Sequence, residues 1–193
     1  MQAIDTQTGA RGFQAHVEMR DGVRLNTLVF LPAGNGDAYP TILARTPYGI
    51  TSPPGARMTD PAHGWLPAAA DPMRGSILRG WREIVARGYA CVYQDTRGRY
   101  ASEGEDRVYF DDAADGYDTL DWIACQPWSN GRIGMAGSSA GATTTLAAAS
   151  LRHPALKCFW AQVGGSSIYD DVVCEGQSIE MERLWLWVAK NIP

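Results

Sequence analysis

The alternation of apolar and polar positions over HVEMRDGVRLNTLVFLPAG, broken by the Asp21-Gly22 turn signal, predicts an amino-terminal β-hairpin. After the turn-rich GNGDAYP comes the short apolar run TILART, closed by Pro47, whose fixed φ and missing N–H end a strand. Residues 49–78 are rich in Gly, Pro, Ala and Asp, hold little periodicity and predict a long loop. From Gly80 the pattern turns regular. WREIVARG reads as a short helix stopped at Gly88, YACVYQD as an apolar strand ending at Asp95, and DTRGRYASEGEDRVYF as a polar, glycine-punctuated loop. DDAADGYDTLDWIACQPW sets Ala114, Tyr117, Leu120, Trp122 and Ile123 along one helical stripe, with acids crowding the first turn where the helix dipole favours them. That helix stops before Pro127. RIGMAG then predicts a strand, SSAGATTTLAAASLRH an alanine-rich helix, ALKCFWAQVGG another strand, and EGQSIEMERLWLWVAKN a terminal amphipathic helix.

Strand and helix alternate through most of the chain, which implies an α/β fold: a mostly parallel sheet with helices on both faces, entered through the amino-terminal hairpin. Such sheets bind ligands beyond the carboxyl ends of their strands, so the residues following Arg45, Asp95, Gly137 and Val163 are the ones to inspect for chemistry.

Composition narrows the functional classes. Of 193 residues, 45% are hydrophobic and 20% charged, the usage of a folded domain. Seventeen Lys and Arg against 21 Asp and Glu leave a net charge of −4, which argues against a nucleic-acid partner. No run approaches the roughly 20 apolar residues of a membrane span, and MQAIDTQTGARGF lacks the shape of a signal peptide, so no membrane partner and a cytoplasmic location are expected. Cys91, Cys125, Cys158 and Cys174 are widely spaced, without a CxxC pair or matching histidine spacing. They are expected to be buried or inert thiols, and neither a metal nor a cofactor is expected.

The sharpest local signal is Gly137-Ser138-Ser139-Ala140-Gly141, a G-x-S-x-G sequence between a predicted strand and a predicted helix. A serine on a tight strand-to-helix turn is strained, small residues on either side relieve the crowding, and the next N–H, that of Ala140, points where an oxyanion would form. A phosphate-binding loop is a poorer reading, because its lysine is missing: Ala142 and Thr143 follow Gly141. Gly131, Gly134 and Gly137 do not have dinucleotide-binding spacing either. Close helix–sheet packing alone remains a second account of the same glycines and alanines. Upstream, Pro47 leaves Tyr48 at the carboxyl edge of the sheet, and a phenol is a good neutral donor to a developing alkoxide. Asp95, Arg97 and Glu103 in the DTRG…SEG stretch read as residues that shape the wall of a site through hydrogen bonds.

Taken together, ILARTPYG, DTRGRYASEGE and YDTLDWIACQPWSNGRIGMAGSSAG resemble the cocaine esterase and X-Pro dipeptidyl-peptidase group of α/β-hydrolases (the CocE/NonD and S15-like enzymes), which includes the α-amino acid ester hydrolases. The likeness runs from about Val17 to about Asp171. It implies an α/β-hydrolase fold, Ser139 as the nucleophile that forms an acyl-enzyme, and an oxyanion hole made by the Tyr48 hydroxyl and the Ala140 N–H. Ala140 stands where the group usually has tyrosine, a change that keeps the N–H and alters the packing around the acyl pocket. The resemblance also offers Asp170 and Asp171 as residues that bind a substrate ammonium group; a solvated loop or a helix amino-terminal cap is the plainer reading of that pair.

A nucleophilic serine needs a base, and in this fold an acid and then a histidine follow the serine in the chain. After Ser139 the sequence contains a single histidine, His153, which a helix from Ser139 to Arg152 would carry roughly 20 Å away. His153 is expected to cap that helix, His63 lies in the long loop, and His16 starts the hairpin. The triad Asp and His are therefore expected from outside this chain. Residues 1–172 read as the amino-terminal part of a catalytic domain and 173–193 as the start of a helical cap, truncated before the rest of the cap and a carboxyl-terminal β domain. The expected function is a serine hydrolase acting on carboxylic esters or X-Pro and acyl amide bonds of a small ester or short peptide, weak or inactive as the isolated chain. The alternative is a non-catalytic binding or scaffold protein derived from such a core. Oligomeric state is left open.

Overall fold

The computed structural model describes residues 3–4, 9–34, 38–50, 80–165, 167, 169–170, 174–175, 178–179 and 181–191. Apart from Gly49 and Ile50, the long loop expected over residues 49–78 lies outside them, as does His63. Nine strands and four helices are described: β1 (Ala3–Ile4), β2 (Arg11–Glu18), β3 (Arg24–Leu31), β4 (Tyr39–Thr46), α1 (Trp81–Ala86), β5 (Ala90–Asp95), α2 (Asp112–Ala124), β6 (Ser129–Ser138), α3 (Ala140–Ser150), β7 (Leu156–Gln162), β8 (Cys174–Glu175), β9 (Ser178–Ile179) and α4 (Met181–Asn191).

Seven strands form one sheet in the order β1-β2-β3-β5-β4-β6-β7. β1, β2 and β3 pair antiparallel, β3 meets β5 antiparallel, and β5, β4, β6 and β7 run parallel. The hairpin turn at Gly22 requires its φ of +85°, and Gly88, at +84°, ends α1 where the sequence placed the stop. The terminal helix is shorter than expected. It begins at Met181, because Cys174–Glu175 and Ser178–Ile179 pair as a small antiparallel ladder. Met181, Trp185 and Leu186 are exposed on it, as are Phe159 and Trp160 on β7.

Helices cover both faces of the sheet. On one, Trp81 of α1 stacks on Phe30 with ring centroids 4.4 Å apart, and Tyr93 meets Phe30 edge-on. On the other, Leu120 and Ile123 of α2 and Ala148 of α3 pack on Val29, Leu43, Val92, Ile133 and Met135. The inward face of α2 differs from the expected stripe: Asp112, Asp115, Gly116, Thr119, Leu120 and Ile123 are buried, so the acids of its first turn point into the protein. They meet Arg45, whose side chain is fully buried at the end of β4. Arg45 Nη1 lies 2.9 Å from Asp112 Oδ1, Nη2 lies 3.8 Å from Asp115 Oδ2, and Nε donates to Gln94 Oε1 at 2.8 Å. Arg97 closes the network, with Asp115 at 2.6 Å and Asp21 at 2.7 Å. The acids thus serve ion pairs between strand, loop and helix, a job the helix-dipole account had not assigned to them. Gly116 lets α2 approach, since a Cβ there would sit 2.4 Å from the Ala148 Cβ.

Cys91 and Cys174 are buried, and burial pushes the Cys91 thiol up to about 12, but Cys125 and Cys158 reach the surface. No described helix is long and apolar enough to cross a membrane.

The surface carboxylates make stability pH-dependent in a definite direction. Hydrogen bonds from Arg97 hold Asp21 below its ordinary value of 3.8, and Arg24 holds Glu103 below 4.5. Partial burial pushes Asp118 up, but Arg20 outweighs it, so Asp118 also lies below 3.8. A depressed carboxylate adds stability above its unfolded pKa and loses it as pH falls through the folded value. Asp112 has the opposite sign, because burial raises it despite Arg45. The chain is expected to melt at progressively lower temperature as the pH drops below about 4.5, and Arg20→Met to flatten that slope. A slope unchanged by Arg20→Met in melts at several pH values would contradict the assignment.

Candidate active site

β4, β5, β6 and β7 end on one side of the sheet, and three of the connections that leave them there carry the candidate residues. β6 passes into α3 through Ser139, which takes φ +55° and ψ −124° and makes no side-chain capping bond to the helix. A non-glycine residue held at positive φ costs on the order of 1–3 kcal/mol, strain of a kind that clusters at functional sites. Gly137 makes the turn feasible, because a Cβ there would lie 2.0 Å from the Gly141 carbonyl oxygen. Gly141 lets the helix approach β4: a Cβ would come within 3.3 Å of the Arg45 carbonyl, to which Thr144 Oγ1 also donates. The Ser139 N–H donates to Gln162 O of β7 at 2.9 Å, and the Ser139 carbonyl accepts from Ala142 and Thr143. Both backbone groups of Ser139 are thus committed, and the side chain is the part left to act.

Ala140 is the first residue of α3 and is buried. The N–H of a first helical residue has no acceptor within its helix, so it remains available to an anion at the positive end of the helix dipole. Its methyl side chain adds no polar group to the site.

Tyr48 approaches from the end of β4. Its hydroxyl lies 3.5 Å from Ser139 Oγ, at the outer limit of a hydrogen bond, while its own N–H donates to Thr46 Oγ1 at 3.1 Å. The phenol, not the backbone, is therefore what this segment presents to the serine. Gly49, at φ +90°, carries the ring of Tyr100 so closely that a Cβ would fall 2.9 Å from it. Tyr109 sits nearby in the loop before α2, at φ +64°, and burial pushes its phenol up, with Tyr48 adding to the effect.

The structure thus brings Ser139, Ala140 and Tyr48 together. Asp170 is exposed, accepts from Ser167 Oγ at 2.7 Å and returns its own N–H to the same oxygen, a closed local turn; Asp171 lies outside the described residues. His153 does not cap α3. It is buried against Tyr117, its Nδ1 accepts the Ala155 N–H at 3.1 Å, and Leu151 ends the helix with a backbone bond to Ala148. Its Nε2 faces Asp121 at 3.6 Å, at the end of α3 away from Ser139. His16 is exposed on β2, opposite Asn26. Of the polar residues in the DTRG stretch, Asp95 accepts from Asn26 and the Ile50 N–H, Arg97 joins Asp115 and Asp21, and Glu103 pairs with Arg24. Sequence reasoning passed over Arg45, Asp112 and Asp115. An arginine inside an otherwise apolar strand was the available signal, since a buried charge requires partners.

The X-Pro dipeptidyl-peptidase (S15) family matches residues 21–192. Among curated proteins, the cocaine esterase of Rhodococcus sp. is 36% identical over 174 residues, which is 90% of this chain and 27% of that protein. The chain therefore spans about a quarter of the length of such relatives. Among solved structures, an α-amino acid ester hydrolase is 35% identical with a TM-score of 0.62, over 81% of this chain and 26% of its own. A CocE/NonD family hydrolase from Staphylococcus aureus is 26% identical with a TM-score of 0.68, over 95% of this chain and 34% of its own. The fold these structures share with the chain is the α/β-hydrolase fold.

Proposed function

The chain belongs to the X-Pro dipeptidyl-peptidase (S15) family, and from that membership we propose that it carries the nucleophile and oxyanion hole of a serine hydrolase acting on carboxylic esters or on X-Pro and acyl amides. The observation that supports the reading is a strained Ser139 at the first turn of α3, with the Tyr48 phenol 3.5 Å from its Oγ.

In this mechanism Ser139 Oγ attacks the substrate carbonyl carbon and gives up its proton to a base. The carbonyl oxygen gathers negative charge, and the Ala140 N–H and the Tyr48 hydroxyl donate to it. Two neutral donors fixed in advance need no reorganisation as charge develops, and losing one such donor typically costs about 10²–10³ in rate. Collapse of the tetrahedral intermediate breaks the bond to the alcohol or amine, which leaves with a proton, and Ser139 holds the acyl group until water displaces it. Neither His16 nor His153 faces Ser139 among the described residues, so the reading expects slow turnover of ordinary esters by these residues alone.

A test must therefore depend on the nucleophile and the oxyanion hole more than on the base. A fluorophosphonate meets that need: Ser139 Oγ attacks phosphorus and gives its proton to solvent or buffer base, fluoride leaves, and the phosphoryl oxygen occupies the oxyanion position, so the stable adduct accumulates even when the step is slow. The expected result is one covalent adduct, located by peptide mass spectrometry on Ser139. An unlabelled Ser139 in folded protein would favour the other reading, a non-catalytic binding or scaffold protein that keeps a hydrolase core.

A further inference from the structure

Tyr48 stands on a short segment, Pro47–Ile50, that belongs to no strand or helix. Its phenol is useful only if that segment keeps one conformation, because a misplacement of about 1 Å at a reacting centre can cost about 10²-fold in rate. The end of β5 and the loop after it grip the segment at both ends. Arg99 Nε donates to the Pro47 carbonyl at 3.2 Å, and Asp95 Oδ1 accepts the Ile50 N–H at 2.8 Å. Asp95 is itself fixed, since its second oxygen takes the Asn26 Nδ2–H at 2.8 Å and its carbonyl accepts from Ser102 Oγ.

Arg99 is only 9% exposed, and its geometry is over-determined. Nη1 reaches Asp106 Oδ2 at 3.3 Å, the guanidinium lies 5.7 Å from the Tyr100 ring centroid, and Tyr100 holds φ +53° while covering Gly49. A strained aromatic residue beside a buried arginine, both aimed at one turn, is more than the turn needs merely to close. The carbonyl that Arg99 holds belongs to the peptide immediately before Tyr48, and the orientation of that peptide sets where the tyrosine side chain departs.

We propose that Arg99 is a positioning residue: by fixing the Pro47–Tyr48 peptide it sets the Tyr48 phenol over Ser139 Oγ, while touching neither substrate nor nucleophile. This rests on the reading of Ser139 as nucleophile and Tyr48 as oxyanion donor. A planar fork with several donors can hold the Pro47 carbonyl and Asp106 together, whereas a lysine in its place supplies a point charge without the fork.

Two measurements on the full 193-residue chain test it. With 3-fluorotyrosine incorporated throughout, the Tyr48 ¹⁹F resonance is identified by its loss in Tyr48→Phe. In Arg99→Met that resonance is expected to move toward the free amino acid position, while Arg99→Lys is expected to recover part of the shift. An unmoved Tyr48 resonance in Arg99→Met overturns the proposal, whether or not Ser139 is reactive. The second measurement is the rate of Ser139 phosphonylation. Arg99→Met is expected to slow it about 10²-fold in the parent and to cause no further loss in Tyr48→Phe, because the arginine acts through the phenol. Equal losses in both backgrounds would show a merely structural arginine and overturn the proposal. A parent chain that never reacts at Ser139 sinks the functional reading instead, and the ¹⁹F result still decides where Arg99 holds Tyr48.

Discussion

A Ser139→Gly variant is expected to lose covalent reaction at this position and, at the same time, to unfold at a higher temperature than the parent. Loss of reactivity follows from removing Oγ; in complete triads, deleting the nucleophile costs about 10⁶-fold. The gain in stability follows from the backbone. Serine at φ +55° is strained by on the order of 1–3 kcal/mol, and glycine reaches that region freely at an entropic cost of about 0.5–1 kcal/mol. The serine hydroxyl makes no capping bond to α3, so none is lost. A net gain of about 1 kcal/mol corresponds to roughly 2–4 °C in a chain of this size. Thermal melts beside fluorophosphonate labelling check both halves. A less stable, unreactive Ser139→Gly would mean that the turn is not strained, and the structural argument for a functional serine would go with it.

The second large effect is expected at Arg45. Arg45→Met keeps an unbranched apolar stem but removes the guanidinium, leaving Asp112 without its partner and Asp115 with Arg97 alone. Breaking a buried ion pair from one side costs about 3–5 kcal/mol, a large share of a typical domain's stability. The sign of its pH dependence identifies the cause. Burial already raises Asp112, and without Arg45 it rises further, so the folded variant binds a proton more readily than the unfolded chain. Its stability should therefore recover as the pH is lowered from about 7 toward 5, and by more than the parent's, in which Arg45 limits the rise of Asp112. Asp112→Asn added to Arg45→Met should restore part of the loss at pH 7. Denaturant titrations at the two pH values decide the matter, and a penalty independent of pH would place it in packing.

Much of this architecture can be read from local pattern because it is set locally. Alternation marks β2 and β3, Pro47 ends the strand that precedes Tyr48, Gly88 stops α1, and the small residues around Ser139 mark the elbow before any partner is known. What escaped the sequence depends on distant pairs. The acids of α2 look like ordinary helix-dipole residues until Arg45, 67 positions earlier, is found against them. His153 looks like a cap until its Nδ1 is seen to accept the Ala155 N–H, which turns the imidazole back on its own loop. The DTRG stretch revealed its polarity but not its target, since Arg99 and Asp95 act on a segment about 50 positions upstream. The small β8–β9 ladder carries too few residues to show a period of two.

The long span between Tyr48 and Ser139, 91 positions, also orders events as the chain is made. At roughly 5–20 residues per second, the phenol leaves the ribosome about 5 to 18 seconds before the serine does. During that interval the hairpin, β4 and β5 can assemble, because their partners are already present. The elbow cannot, because its turn needs α3 against the Arg45 carbonyl and the Ser139 N–H against Gln162 of β7. On the proposed reading, a nascent or partly folded chain therefore holds the oxyanion donor before its nucleophile is formed. Ser139 takes up its strained, half-buried geometry only once the parallel half of the sheet has closed, so on the proposed reading the nucleophile is a late product of folding and is not loose on the unfinished polypeptide.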